Sequence, residues 1–230
     1  MPEGANDVGF AMTSSFTCMT LATWLTMRCS TADDGLAGRL AAATEEVLTA
    51  QSSAAQALAQ RGYERVVYLG SGPLTGLARE SALKLLELTA GGVIAYSNSA
   101  LGFRHGPKAV LDNRTLALVY LSNDPYTRQY DLDIAAELRA ALDPESVVVI
   151  SAGGAGDGEP WHIEGLGDVD DVALAPALRG VRPAARSALL PGFGQNTRQS
   201  LPLWDGEPRR SGRDHPRSGA VNRRPRWPPP

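Results

Sequence analysis

Lysine is almost missing from this chain. Of its 22 basic residues only Lys84 and Lys108 are lysine, and a chain that uses arginine nearly everywhere else keeps lysine where a primary amine is wanted. Cysteine is equally scarce: Cys18 and Cys29 form no C-x-x-C pair. That excludes a disulfide scaffold and points to a reducing, cytoplasmic setting. The three histidines, His105, His162 and His215, stand far apart and away from the cysteines, so no metal site is expected. Walker, EF-hand, zinc and dinucleotide fingerprints are all absent. Gly70-Ser71-Gly72-Pro73-Leu74-Thr75-Gly76 does not place its third glycine as G-x-G-x-x-G requires, and no acidic ribose partner follows about twenty residues on. No cofactor is expected. The apolar stretch from Phe10 to Met27 is broken by Ser, Thr and Cys and has no basic leader. It reads as a buried amphipathic helix, neither a membrane span nor a signal peptide.

What is present divides into two kinds of sequence. The net charge of −3 over 230 residues hides an acidic part, with 22 acidic and 11 basic residues up to Val172, and a basic remainder with 3 acidic and 11 basic. Ten of the sixteen prolines lie in that remainder, which shows no apolar periodicity. Three regions are therefore expected: residues 1–30 as a terminal helix, 31–172 as a folded domain, and 173–230 as a disordered Pro/Arg-rich tail. Arg209, Arg210, Arg213, Arg217, Arg223, Arg224 and Arg226 could meet phosphates, but few aromatics interleave them and no recognition element precedes them. Nucleic acid is not the expected partner.

Along the middle region strands alternate with helices. Asp33 to Arg61 has apolar positions at helical spacing (Leu36, Leu40, Val47, Leu48, Ala55, Leu58), with Asp33-Asp34 as cap and first turn. Continuous apolar runs at Val66–Leu69, Val93–Tyr96, Leu116–Leu121 and Val147–Ser151 are separated by helices over Thr75–Ala90 and Arg128–Leu142. Runs without alternation are what a parallel sheet covered on both faces produces. The expected fold is a three-layer α/β/α domain with a parallel sheet.

Glu80, Lys84 and Glu87 stand at i, i+4 and i+7, so they share one face of the helix over Thr75–Ala90. A Glu/Lys pair four apart is ordinarily a solvated pair worth a few tenths of a kcal/mol. The context argues for more. The strand Val66–Leu69 runs into the glycine turn that opens this same helix, and that is where a parallel α/β sheet places its ligands. Ser71 and Gly72 are candidate substrate contacts on this ground. Further on comes Arg104-His105-Gly106-Pro107.

The glycine turn, Glu80-Ser81-Ala82-Leu83-Lys84-Leu85-Leu86-Glu87 and Phe103-Arg104-His105-Gly106-Pro107 together resemble a sugar isomerase (SIS) domain. The likeness is specifically to the second SIS domain of the galactosamine-6-phosphate deaminase / tagatose-6-phosphate ketose-aldose isomerase family, related to the isomerase half of glucosamine-fructose-6-phosphate aminotransferase. The resemblance covers about residues 4–172. It implies a flavodoxin-like sheet, a sugar-phosphate substrate, a homodimer, and neither membrane nor nucleic acid. It also implies roles. Glu87 is the base that carries a proton between C1 and C2. His105 moves protons in ring opening, as its chemistry near neutral pH allows. Lys84 holds substrate oxygens, Glu80 orients it or touches the sugar, and Arg104 belongs to the substrate loop. The alternative is a module that binds a sugar phosphate without turning it over.

Gly9-Phe10-Ala11-Met12-Thr13-Ser14-Ser15-Phe16-Thr17 resembles the segment that closes the first SIS domain in such enzymes and borders the sugar, so Phe10 and Ala11 are expected substrate contacts. The chain is expected to start after the Ser/Thr-rich phosphate loop of that first domain and so to lack half of the active site, which leaves weak or no activity as the expectation for the chain by itself. The tail departs from the family ending. Permitted codons for Arg198–His215, read one base later, give DNPSPSGTVNRVVAGVTI, which matches it, so a shifted reading frame is the expected origin of the tail.

Overall fold

In the computed structural model the described residues are 13–28, 35–89, 91–153 and 161–178. Five parallel strands, β1 (Arg65–Gly70), β2 (Ile94–Asn98), β3 (Thr115–Tyr120), β4 (Val147–Ser151) and β5 (Trp161–His162), form one sheet in the order β2-β1-β3-β4-β5. The helices are α1 (Thr13–Arg28), α2 (Leu36–Ala50), α3 (Ser52–Gln60), α4 (Leu74–Leu88), α5 (Ala100–Arg104), α6 (Pro125–Ala141) and α7 (Asp171–Leu178). This is the expected doubly wound α/β/α architecture, and its order reverses between β1 and β3.

Alternate residues of each apolar run feed opposite cores. Val66, Tyr68, Leu116, Leu118, Tyr120, Val148 and Ile150 pack with α2, α3, α4 and α7 on one face. Val67, Leu69, Ala117, Val119, Val147 and Val149 pack with Ala100 and Phe103 of α5 and Ile134, Ala135 and Leu138 of α6 on the other. Every residue of β3 and β4 is buried, and each large aliphatic side chain removed from water contributes roughly 1.5–3 kcal/mol.

Several sequence expectations need correction. The single helix expected over Asp33–Arg61 is two, α2 and α3, meeting at Gln51, where Ser52 and Ser53 offer the backbone side-chain alternatives to helical pairing. Gly35 stands at the N-cap of α2; the expected cap, Asp33-Asp34, lies outside the described residues. α1 is not a buried helix. Phe16, Leu21 and Trp24 pack against the core, but Met19, Leu25 and Met27 are 57%, 43% and 77% exposed. The expected boundary at residue 172 falls inside α7, whose Ala173 to Leu178 are all buried, so the folded part runs at least six residues further. Residues 179–230, and with them the rest of the expected tail, lie outside the described residues. β5 was not expected: at two residues it is too short to show a pattern. It is fastened to β4 by Ile163 N donating to Ser151 O at 2.8 Å and by the 2.9 Å hydrogen bond between Ser151 Oγ and His162 Nδ1. Among the described residues no helix is long and apolar enough to cross a membrane.

Candidate active site

α4 starts where β1 ends and runs back along the sheet to the start of β2, burying Leu74, Leu77, Ala78, Ser81, Ala82, Leu85 and Leu88. Lys84 and Glu87 lie at the margin of that buried stripe. Lys84 Nζ donates to Glu87 Oε2 at 2.7 Å, with the lysine side chain 12% exposed and the glutamate 37%. Glu80, half-buried, sits one turn before Lys84 on the same helix.

The other candidates are at the opposite end of the sheet. Leu69 of β1 is level with Asn98 of β2, so the glycine turn after β1 and the loop after β2 share the carboxyl edge. Glu87 is thirteen residues beyond Leu74 along α4, about 20 Å at the helical rise. The fold thus groups Ser71 and Gly72 with the Arg104-His105 loop, and holds Lys84 and Glu87 near the amino edge.

At the carboxyl edge the glycine turn is tightly held. Gly70 is required because a Cβ there would stand 2.7 Å from Leu74 O, and Gly72 has φ +52°. Ser71 is buried, and its Oγ donates to Asp131 Oδ1 at 2.5 Å. Asp131 Oδ2 accepts from Ser122 N at 3.0 Å, so one buried carboxylate ties the turn after β1 to the loop after β3, across the point where strand order reverses. A second carboxylate continues the pattern: Asp171 accepts from Ser122 Oγ at 2.5 Å and from Asn123 N at 2.8 Å. Arg128 closes the group, donating to Ser122 O at 3.0 Å and Gly153 O at 2.7 Å. Burial pushes the Asp131 carboxyl up to about 6, against the lowering effect of its hydrogen bonds from Ser71 and Ser122. The backbone N–H groups of Ser122 and Asn123, which could receive a ligand's phosphate at this crevice, are given instead to internal carboxylates.

The histidine loop follows α5, whose N-cap Ser99 Oγ accepts from Gly102 N at 3.1 Å. His105 is exposed at the C-cap of α5. Gly106 has φ +153° and leads into a 3₁₀ turn over Pro107–Val110. Arg104 and Lys108, on either side, both pair with Glu137 of α6, at 2.6 and 2.9 Å. Both lysines of the chain are therefore held by carboxylates. Phe10 and Ala11 lie outside the described residues.

This arrangement has close relatives. An AgaS protein of Streptomyces coelicolor is 54% identical over 212 residues, taking in 90% of this chain and 54% of the relative. A D-galactosamine-6-phosphate deaminase AgaS of Shewanella sp. (strain ANA-3) is 44% identical over 165 residues, 70% of this chain and 42% of the relative. The crystal structure of tagatose-6-phosphate ketose/aldose isomerase from Escherichia coli superposes with a TM-score of 0.68 at 38% identity, covering 84% of this chain and 53% of that one. The chain is homologous to these galactosamine-6-phosphate deaminases and to the ketose/aldose isomerase, and it has their α/β fold. No protein-family model matches it. The chain spans about half the length of the curated relatives it matches.

Sequence reasoning missed Asp131 and Glu137, which hold Ser71 and the Arg104-His105 loop, and Asp171, which holds the neighbouring loop after β3. Ser71 and Asp131 are sixty residues apart along the chain, and Lys108 and Glu137 twenty-nine, so no local spacing could have flagged these carboxylates. Among the described residues no group of three His, Cys, Asp or Glu side chains could hold a metal ion.

Proposed function

We propose that this SIS domain supplies proton-transfer groups to an enzyme that isomerises or deaminates amino-sugar or ketose 6-phosphates, acting in the cytoplasm as a homodimer without metal or nicotinamide. The observation that carries the reading is the 2.7 Å hydrogen bond between Lys84 and Glu87 at a half-buried surface, in a chain with so little lysine. A carboxylate with a fixed ammonium beside it is suited to moving one proton between adjacent carbons while the cation steadies a developing oxyanion.

For galactosamine 6-phosphate the step balances without an oxidant. The Glu87 carboxylate takes the proton from C2 of the open-chain sugar, giving an enolamine, and delivers a proton, exchanged with solvent while on the carboxyl group, to C1. The resulting C2 imine adds water and releases ammonia, leaving tagatose 6-phosphate. With an aldose or ketose 6-phosphate the same transfer through an enediol stops at isomerisation. His105, exposed on its loop, would move the protons of ring opening. Because His105 and Glu87 lie toward opposite edges of the same domain, the histidine would serve the site of a second subunit, as the resemblance to the aminotransferase also implies. The geometry supports Ser71 as a residue that fastens the glycine turn, since its hydroxyl is engaged by Asp131. Glu80, Gly72 and Arg104, with Phe10 and Ala11, remain the proposed sugar contacts.

Ammonia release from galactosamine 6-phosphate, measured beside thermal stabilisation by the same compound, tests the proposal. Ammonia and a ketose 6-phosphate in equal amounts are expected. Stabilisation without any turnover would replace the enzyme with a sugar-phosphate-binding module.

A further inference from the structure

The loop that carries His105 is strapped to α6 by a single carboxylate. Glu137 Oε1 accepts from Arg104 Nη2 at 2.6 Å, and Oε2 accepts from Lys108 Nζ at 2.9 Å. Each oxygen thus holds one of the two cations that bracket His105, one residue before it and three after. The base of the strap is firm: Ile134, Ala135 and Leu138, on the buried stripe of α6, are at most 2% exposed, and they pack into the core formed with β3 and β4. His105 is exposed, and Gly106 adopts φ +153°, a torsion that L side chains rarely take.

Ion pairs of this exposure add little to stability, because water screens them and ordering long side chains is costly. Their use here is geometric. One carboxylate fixes two side chains that are only four residues apart, so the backbone between them loses much of its freedom. The Lys108 hydrogen bond, with the charges of Arg104 and Lys108, holds the Glu137 carboxyl below its ordinary range, so the strap stays charged at neutral pH.

We propose that Glu137 is a positioning residue that sets the loop presenting His105 to the sugar. The inference rests on the ring-opening role given to His105 above. Its test compares Glu137→Gln with His105→Ala in the protein that carries this chain, reading turnover and backbone hydrogen exchange in the same samples. Glu137→Gln should lower kcat at least tenfold with KM within twofold. Exchange over residues 104–108 should rise at least tenfold, while the amides of β1, β3 and β4 keep their protection and report an intact fold. If His105→Ala leaves turnover intact, the role of His105 fails and that of Glu137 with it. If His105→Ala is inactive while Glu137→Gln keeps wild-type kcat, the positioning role alone is overturned. Unchanged loop exchange in Glu137→Gln overturns it whatever the turnover.

Discussion

Lys84 Nζ and Glu87 Oε2 lie 2.7 Å apart on the last turns of α4, the lysine nearly covered and the glutamate half-exposed. A lysine on a solvated helix face would not lose that much water. Lys84→Met, which keeps the length of the side chain and removes the charge, should lower turnover by about 10²-fold, the size of one lost electrostatic contact to the transition state. Lys84→Arg should not restore it, because a planar guanidinium does not replace a compact ammonium. Steady-state kinetics on the two variants checks both expectations.

His105 and Glu87 lie toward opposite edges of one domain, which predicts complementation between subunits. Glu87→Gln and His105→Ala proteins, each inactive alone, should recover about a quarter of wild-type activity when unfolded and refolded as an equal mixture. Random pairing makes half the dimers mixed, and one of the two sites in each is whole. No recovery would place both residues in the site of one chain.

Three glycines around the junction of β1 and α4 should respond differently to alanine. At Gly70 the new Cβ would meet Leu74 O at 2.7 Å, and backbone cannot yield cheaply, so a loss of about 1–3 kcal/mol is expected. Gly72 has open space but φ +52°, which costs about 1 kcal/mol. Gly76 lies within α4 with nothing within 4 Å of a Cβ, so alanine there should stabilise by about 0.5 kcal/mol. Urea denaturation of the three variants ranks them.

Asp131 gives a pH dependence with a definite sign. Its carboxyl is raised from 3.8 to about 6 in the fold, so the native state binds more protons than the unfolded one between those values. Its contribution is complete below about pH 4 and is lost as the pH rises through 6, at most about 3 kcal/mol by linkage. Asp131→Asn, whose amide oxygen can still accept from Ser122 N while its NH₂ donates to Ser71 Oγ, should gain stability relative to wild type between pH 4.5 and 7.5. Denaturant midpoints of both proteins at the two pH values measure the difference.

The strands Val66–Leu69, Leu116–Leu121 and Val147–Ser151 could be read from the sequence because burial on both faces leaves uninterrupted apolar runs, and order plus connection length then made the sheet parallel. The two-residue β5 and the join at Gln51 could not, since each depends on neighbours brought in from elsewhere. α7 was overlooked because it opens a proline-rich stretch, yet Pro176 is accommodated in its buried last turn. The match to the Streptomyces coelicolor relative takes in 90% of the chain, so it too extends beyond residue 172. In the site, helical spacing correctly put Lys84 and Glu87 on one face. The same reasoning placed Ser71 and Arg104 at the substrate without foreseeing that Asp131 and Glu137 would engage them.

The proposed reaction depends on Glu87 as the group that moves the proton. The direct measurement is deuterium incorporation at C1 of the ketose product when the protein that carries this chain turns over galactosamine 6-phosphate in D₂O, for wild type and Glu87→Gln. Wild type should place deuterium at C1. Glu87→Gln should slow that exchange by about 10³-fold, within the range for loss of a general base, while its melting temperature stays within a few degrees of wild type. Exchange in Glu87→Gln within tenfold of wild type would contradict the account.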